Sequence, residues 1–309
     1  MVETTWAPIA LFIYKRPDHT RRTIEHLLRC VGFDHSPVYV FADGPKHPRD
    51  VPVIQRTRSE ARRLLGDRAV YLERETNAGL DNSVIAGVTD LCGRHGRVVV
   101  VEDDLVVSPH FLEFLNAGLR LYENEPRVMQ VCGHIFDVPE LRESKDAILL
   151  PLISSWGWAT WKRAWDLFDP EARGWTERLN DQQERTRFDL DGSFPYARML
   201  SQQMRRAVPA WDIRWYYTVF VRKGLALYPP RALVLNEGFD GTGTHARLSL
   251  PIRQAQLDEQ EAFDLPIQIA ESPMKKYVFS AIGYSRSASP RQKLKAMAQA
   301  AVRRVGGPS

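Results

Sequence analysis

Along the first hundred positions, apolar residues come in two alternating patterns. Ile9–Tyr14, Val38–Ala42, Val70–Leu72 and Val98–Val101 are short, nearly uninterrupted apolar runs. They are too short for buried helices and lack the polar alternation of a half-exposed strand, so they predict strands buried on both faces. Between them the spacing lengthens to three and four. Thr20–Cys30 repeats through Ile24, Leu27 and Leu28, Ile54–Leu65 through Ile54, Ala61, Leu64 and Leu65, and Asn82–Cys92 continues the series. These read as amphipathic helices. Ser108-Pro109 predicts a fourth helix, with Ser at the N-cap and Pro at the first helical position. Buried strands alternating with amphipathic helices define an α/β fold, a mostly parallel sheet with helices on both faces.

Beyond Val107 the texture changes. Seven of the eight tryptophans lie between Trp156 and Trp215. Helical spacing marks Thr160–Phe168, Tyr196–Arg206 and Ile213–Lys223, and Ala226–Leu235 holds one or two more strands around Pro229-Pro230. This division predicts a ligand-binding half at residues 1–105, a more irregular half at 106–270 and a tail at 271–309.

Charge sharpens the last boundary. The formal net charge is +4, yet Lys275–Ser309 holds eight basic residues and no acidic ones, leaving 34 basic against 38 acidic side chains before it. The body is mildly acidic, which argues against a nucleic-acid partner. A weak alanine-rich stripe (Leu294, Ala298, Ala301, Val305) leaves the tail readable either as solvated sequence or as a peripheral membrane contact. Three cysteines without a CxxC pair argue against a disulfide framework. The N-terminus lacks the basic region of a secretory signal and no run reaches about 20 apolar residues, so the expected location is cytoplasmic, with the membrane's inner face as an option.

The chemistry concentrates at Arg97–Pro109, RVVVVEDDLVVSP. Glu102, Asp103 and Asp104 follow directly on a buried strand. Unpaired carboxylates are costly to bury, and ligands of open α/β sheets sit at the carboxyl ends of strands. A hard divalent cation bridging to a diphosphate fits three adjacent acids there, whereas a simple turn cap accounts for one.

An apolar strand ending in Glu-Asp-Asp, followed by Leu-x-Val-x-Pro and an aromatic helix, resembles the GT-A glycosyltransferases. The resemblance is nearest to the N-acetylglucosaminyltransferase I type, with bacterial family 2-like enzymes beside it. Ile9–Pro17, Pro37–Gly44, Ser155–Trp165, Ala210–Trp215 and Gly224–His245 resemble further family segments in the same order, so that it spans roughly residues 7–247. It implies inverting transfer of a hexosyl group from a nucleotide-sugar, a UDP-sugar and foremost UDP-GlcNAc, with Mn²⁺ or Mg²⁺, to a glycan or lipid-linked glycan. Asp104 would bind the metal, and Asp103 and Glu102 would orient its waters and the donor's hydroxyls. Asp212 would be the general base, with a helix N-cap as its other reading. Asp43 would recognise the base, supported by Arg16, or begin a turn. Asn82 would contact the nucleotide or cap its helix. Trp156, Trp158, Trp161 and Trp211 would line the acceptor site, or belong to the core. His245 would reach phosphate or metal from a glycine-rich loop. Two other classes are a sugar-1-phosphate nucleotidyltransferase, disfavoured by the absence of glycine in Tyr14–His19, and a non-catalytic binding protein of the same fold.

Overall fold

The computed structural model describes residues 6–205, 211–239, 256–259 and 261–287. Its strands are β1 (Ile9–Ile13), β2 (Val38–Ala42), β3 (Ala69–Glu73), β4 (Arg97–Glu102), β5 (Leu105–Val107), β6 (Val128–Cys132), β7 (Ile148–Leu150), β8 (Trp158–Trp161), β9 (Leu225–Tyr228) and β10 (Val234–Asn236). The helices are α1 (Pro17–Leu27), α2 (Val51–Leu65), α3 (Leu80–His95), α4 (Phe111–Leu121), α5 (Lys162–Trp165), α6 (Trp175–Asn180), α7 (Gln182–Phe188), α8 (Tyr196–Met204), α9 (Trp211–Val221) and α10 (Lys275–Ser287). None is long and apolar enough, among the described residues, to cross a membrane.

Eight strands form one sheet in the order β3-β2-β1-β4-β8-β6-β9-β7, while β5 and β10 make a separate antiparallel ribbon. β1 to β4 are mutually parallel, β8 runs against both β4 and β6, β9 follows β6, and β7 opposes β9. The sheet is therefore mostly parallel and continuous across both predicted halves. Its centre is apolar throughout: β1 and the four valines of β4 are buried. β3 is the edge strand, and Val70 there is exposed.

Two predicted elements changed. Trp158–Trp161 is a strand, followed by the short α5, rather than the start of a helix at Thr160. Both faces of this central strand are covered, so its sequence carries no alternation to betray it. Likewise α4 begins at Phe111, not at Pro109. The Phe111 N–H donates to the carbonyl of Ser108, and the Ser108 hydroxyl accepts from the N–H of His110, so a turn precedes the helix.

Tryptophan packing joins the sheet to α9. Trp158 stacks on Trp211 with ring centroids 5.4 Å apart, and Trp165 meets Trp215 at 5.1 Å. Three of the buried indoles donate their N–H: Trp161 to the carbonyl of Leu119, Trp165 to the Thr89 hydroxyl, and Trp215 to the Gln130 amide oxygen. Such partners remove the cost of burying a polar tip. Gly157, immediately before β8, has φ of 59°, and a Cβ there would lie 2.7 Å from Val234. Glycine is required on both counts. Replacing Trp158 with alanine empties the middle of this cluster, so Trp158→Ala should cost about 3–5 kcal/mol in chemical denaturation, with Trp158→Phe retaining most of it.

Candidate active site

The three carboxylates at the end of β4 point to different environments. Asp103 is buried. One of its oxygens accepts the N–H of Tyr14 at 2.7 Å, and its carbonyl accepts the Thr23 hydroxyl. It thus ties the end of β4 to the β1–α1 junction. Asp104 meets a second residue of the same junction. Its Oδ2 accepts from Arg16 Nη1 at 2.7 Å, while its Oδ1 is buried without a hydrogen-bond partner. The β5–β10 ribbon closes over it: the N–H of Glu237 donates to the Asp104 carbonyl, and a Cβ on Gly238 would fall 2.1 Å from its Oδ2. Glu102 is half-buried.

Burial, then the negative charge of Asp104, pushes the Asp103 carboxyl up to about 8. Glu102 moves the same way, raised by burial, then by Asp104, Asp103 and Asp212, with the Arg16 guanidinium opposing. Glu102 therefore feels the charge of Asp212, and the fold brings together the two acidic motifs that the sequence holds more than a hundred residues apart.

Asp212 is the second residue of α9. Its Oδ2 accepts the Ser155 hydroxyl at 3.1 Å and its Oδ1 accepts the N–H of Ile213. An N-cap carboxylate stands before the first helical residue and takes the N–H two or three positions on, so Asp212 is not the N-cap. It borders a cavity of about 100 Å³ whose wall includes His134, Ser155, Trp156, Tyr196 and Tyr228.

The remaining predicted residues divide. Asp43 spends its carboxylate on the loop before α3: Oδ1 accepts from the N–H groups of Gly44 and Ala78, Oδ2 from Gly79 N–H and the Asn77 amide. Four donors match a carboxylate's capacity, so a base N–H would have to displace one. Arg16 pairs with Asp104 rather than supporting Asp43. Asn82 is exposed inside the first turn of α3 and donates to the carbonyl of Ala78, while Gly79 holds the N-cap position. Trp158, Trp161 and Trp211 are core residues at 0–3% exposure and offer no face to an acceptor. Only Trp156 is partly exposed at the cavity, between His134 at 4.5 Å and Phe239 at 5.5 Å. His245 and the tail beyond residue 287 lie outside the described residues.

Three groups went unseen in the sequence. Arg58 donates one nitrogen to the carbonyls of Ala42, Asp43 and Arg74, stitching together the ends of β2 and β3. Asp81 at the start of α3 pairs with Arg214 of α9 at 3.1 Å and accepts from Gln203 of α8, so the two halves are braced directly behind Asp212. His134, just after β6, lines the cavity. Each is a lone charged or polar residue whose partners come from distant elements, and no local spacing announces it.

Among the described residues, no group of three or more His, Cys, Asp and Glu side chains converges on a metal-holding point. A site for Mg²⁺ or Mn²⁺ does not require one. Mg²⁺ is usually held by one or two carboxylates, with substrate phosphates and waters completing the shell. The unpartnered, buried Oδ1 of Asp104 beside Glu102 fits that donor set.

No protein-family model matches the chain, and no curated protein does. Solved structures align with it at low identity. Over 79% of this chain and 46% of the other it is similar to GalNAc-T7 with UDP, GalNAc and Mn²⁺, at 10% identity and a TM-score of 0.48. The chain thus spans less than half the length of that protein. Over 99% and 78% it is similar to the mannosyltransferase PcManGT of Pyrobaculum calidifontis in complex with GDP-Man and Mn²⁺, at 15% identity and 0.43. A putative nucleotide-diphospho-sugar transferase of Desulfovibrio desulfuricans G20 aligns over 53% and 67%, at 15% and 0.31. Likenesses of this degree leave the chemistry to be argued from the residues.

The raised acids give the site a pH signature. An acid whose folded value stands above its ordinary 3.8 binds more protons folded than unfolded. Its contribution to stability is complete below that ordinary value and is lost as pH rises through about 8. In EDTA, the Tm should therefore fall as pH climbs from about 5 to about 8, and Asp103→Asn, which keeps an acceptor for Tyr14, should flatten the slope.

Proposed function

We propose that the protein is an inverting, metal-dependent glycosyltransferase that moves a hexosyl group from a nucleotide-sugar to a glycan hydroxyl. The observation that carries the reading is the pairing of two carboxylate sites in one electrostatic cluster. Asp104 keeps a bare buried oxygen at the carboxyl end of β4, and Asp212 lies near enough to raise Glu102. The first suits a cation and diphosphate, the second a proton acceptor. The donor is a UDP-sugar, UDP-GlcNAc by resemblance, and the acceptor a glycan or lipid-linked glycan.

In this reading Asp104, with Glu102 beside it, holds Mn²⁺ or Mg²⁺. When bound, the ion neutralises the negative charge that develops on the departing diphosphate. Asp212 takes the proton of the acceptor hydroxyl. That oxygen bonds to the anomeric carbon from the face opposite the diphosphate, and the carbon–oxygen bond to the diphosphate breaks with its electron pair leaving on the phosphate. Ser155 orients the Asp212 carboxylate through the 3.1 Å hydrogen bond, and the Asp81–Arg214 pair braces α9 beneath it. Asp103 holds the β1–α1 junction rather than contacting the ion, and the Asp43 network shapes the loop on which the nucleotide rests.

A panel of nucleotide-sugars with Mn²⁺, read by thermal shift and nucleotide release, tests the donor assignment. A UDP-sugar should raise the Tm and release UDP. Asp212→Asn should lower kcat by about 10²–10⁴-fold while the donor's thermal shift persists. Asp104→Asn should lose both turnover and the cation-dependent part of the shift. No shift with any nucleotide-sugar, or normal turnover of Asp104→Asn in EDTA, overturns the reading.

A further inference from the structure

The two oxygens of Asp104 are unequally engaged. Oδ2 accepts from Arg16 Nη1 at 2.7 Å, and a Cβ on Gly238 would lie only 2.1 Å from that same oxygen. Oδ1 is buried without a hydrogen-bond partner. The carboxylate best suited to a divalent cation therefore already holds a cation, and holds it on one oxygen. Both side chains keep some exposure, 12% for Arg16 and 16% for Asp104, so a ligand can reach the pair.

Arg16 is set in place through its backbone. It stands at the N-cap of α1, with Pro17 at the first helical position, and its carbonyl accepts the N–H of Thr20. Its Nη2 also lies 3.5 Å from the Gly238 carbonyl, so the guanidinium spans from the β1–α1 corner to the residues just past β10. A guanidinium keeps its charge at every ordinary pH. It cannot make room for a second cation by losing a proton, so a divalent ion arriving alone at Asp104 meets a fixed like charge. A diphosphate changes that balance. Arginine engages phosphate oxygens with several N–H donors at once, whereas its hydrogen bond to Asp104 runs through Nη1. The amino end of α1 stands at the same corner and favours an anion there.

We propose that Arg16 is the resident counter-cation of Asp104 and makes cation binding conditional on the nucleotide: the guanidinium leaves Oδ2 for the diphosphate, and Asp104 then offers both oxygens to the ion. The inference rests on the transferase reading for the identity of the diphosphate. It places Arg16 on the phosphate side of the nucleotide rather than beside the base.

The test measures Mn²⁺ binding to the full-length protein, not turnover. Free Mn²⁺ is followed by its electron paramagnetic resonance signal, without nucleotide, with uridine and with UDP, and chelation by UDP is subtracted from protein-free titrations. In the wild type, UDP should tighten Mn²⁺ binding at least about ten-fold, and uridine should not. Arg16→Gln should bind Mn²⁺ alone about ten-fold tighter than the wild type, and the gain conferred by UDP should shrink by a similar factor. Arg16→Lys, which keeps the charge, should resemble the wild type, and adding Asp104→Asn to Arg16→Gln should abolish the tighter binding. In wild-type protein labelled with ¹⁵N-arginine, the Arg16 side-chain resonance, assigned through Arg16→Lys, should move with UDP and Mn²⁺ together and stay with Mn²⁺ alone. Mn²⁺ binding by Arg16→Gln no tighter than the wild type, the same gain in Arg16→Lys, a gain that survives Asp104→Asn, or an Arg16 resonance that UDP and Mn²⁺ leave unmoved overturns the proposal. Any of these results with UDP and Mn²⁺ still binding together to the wild type sinks this inference alone. A wild-type protein that binds neither sinks the transferase reading as well.

Discussion

Mutual repulsion among carboxylates at the end of one buried strand is the constraint from which the site follows. Glu102, Asp103 and Asp104 leave β4 in succession, and Asp212 approaches from α9. Four acids in a region that excludes much of the water cannot all ionise freely. Asp103 is relieved by the N–H of Tyr14, Asp104 by the guanidinium of Arg16, and Glu102 by that same guanidinium and by partial exposure. Arg16 is the cation that opposes the upward shift of both Glu102 and Asp103. Its place is fixed because Pro17 starts α1 immediately after it. The geometry of the β1–α1 corner is thus tied to the electrostatics of β4.

The same constraint explains the crowding around Asp104. The β5–β10 ribbon brings Gly238 so close that no side chain fits between it and the carboxylate. Gly238 lies against Oδ2, while Oδ1 is buried without a hydrogen-bond partner, and such an oxygen has more to gain from a cation than a hydrated one. Behind the site, the Arg58 and Asp43 networks fix the loops on the donor side, while Asp81 and Arg214 carry rigidity across to α9. Both are charge-assisted contacts that are partly buried, and burial strengthens such bonds.

Much of the fold was legible because β1, β2 and β4 are uniform apolar runs and α1 to α3 have plain helical spacing. β8 was not, since a central strand flanked on both faces by tryptophan looks like any aromatic segment. The acidic triplet was legible because three neighbouring carboxylates after such a strand have few peaceful uses. Aromatic residues misled: Trp158, Trp161 and Trp211 were candidates for sugar stacking, yet they build the core. Large amphipathic rings serve both purposes, and only burial separates them. His134 was silent for the converse reason. Its Nε2 is buried without a hydrogen-bond partner, and an unpaired nitrogen leaves no mark on sequence.

The reversed direction of β8 has a metric consequence. Val100 pairs with Trp158 on one side, and Cys132 pairs with Trp158 on the other. Val100, Trp158 and Cys132 therefore stand in a single row across the sheet, and the bond from Gly133 N–H to the Gly157 carbonyl carries the β6–β8 pairing one residue further. Neighbouring strands lie about 4.8 Å apart, so β4, which ends in Glu102, and β6, which ends two residues before His134, are held about 10 Å apart. Backbone ladders, not loops, serve as the ruler. Surface loops can lengthen or diverge without altering that span, whereas a register slip of β8 by one residue would carry Trp158 to the opposite face.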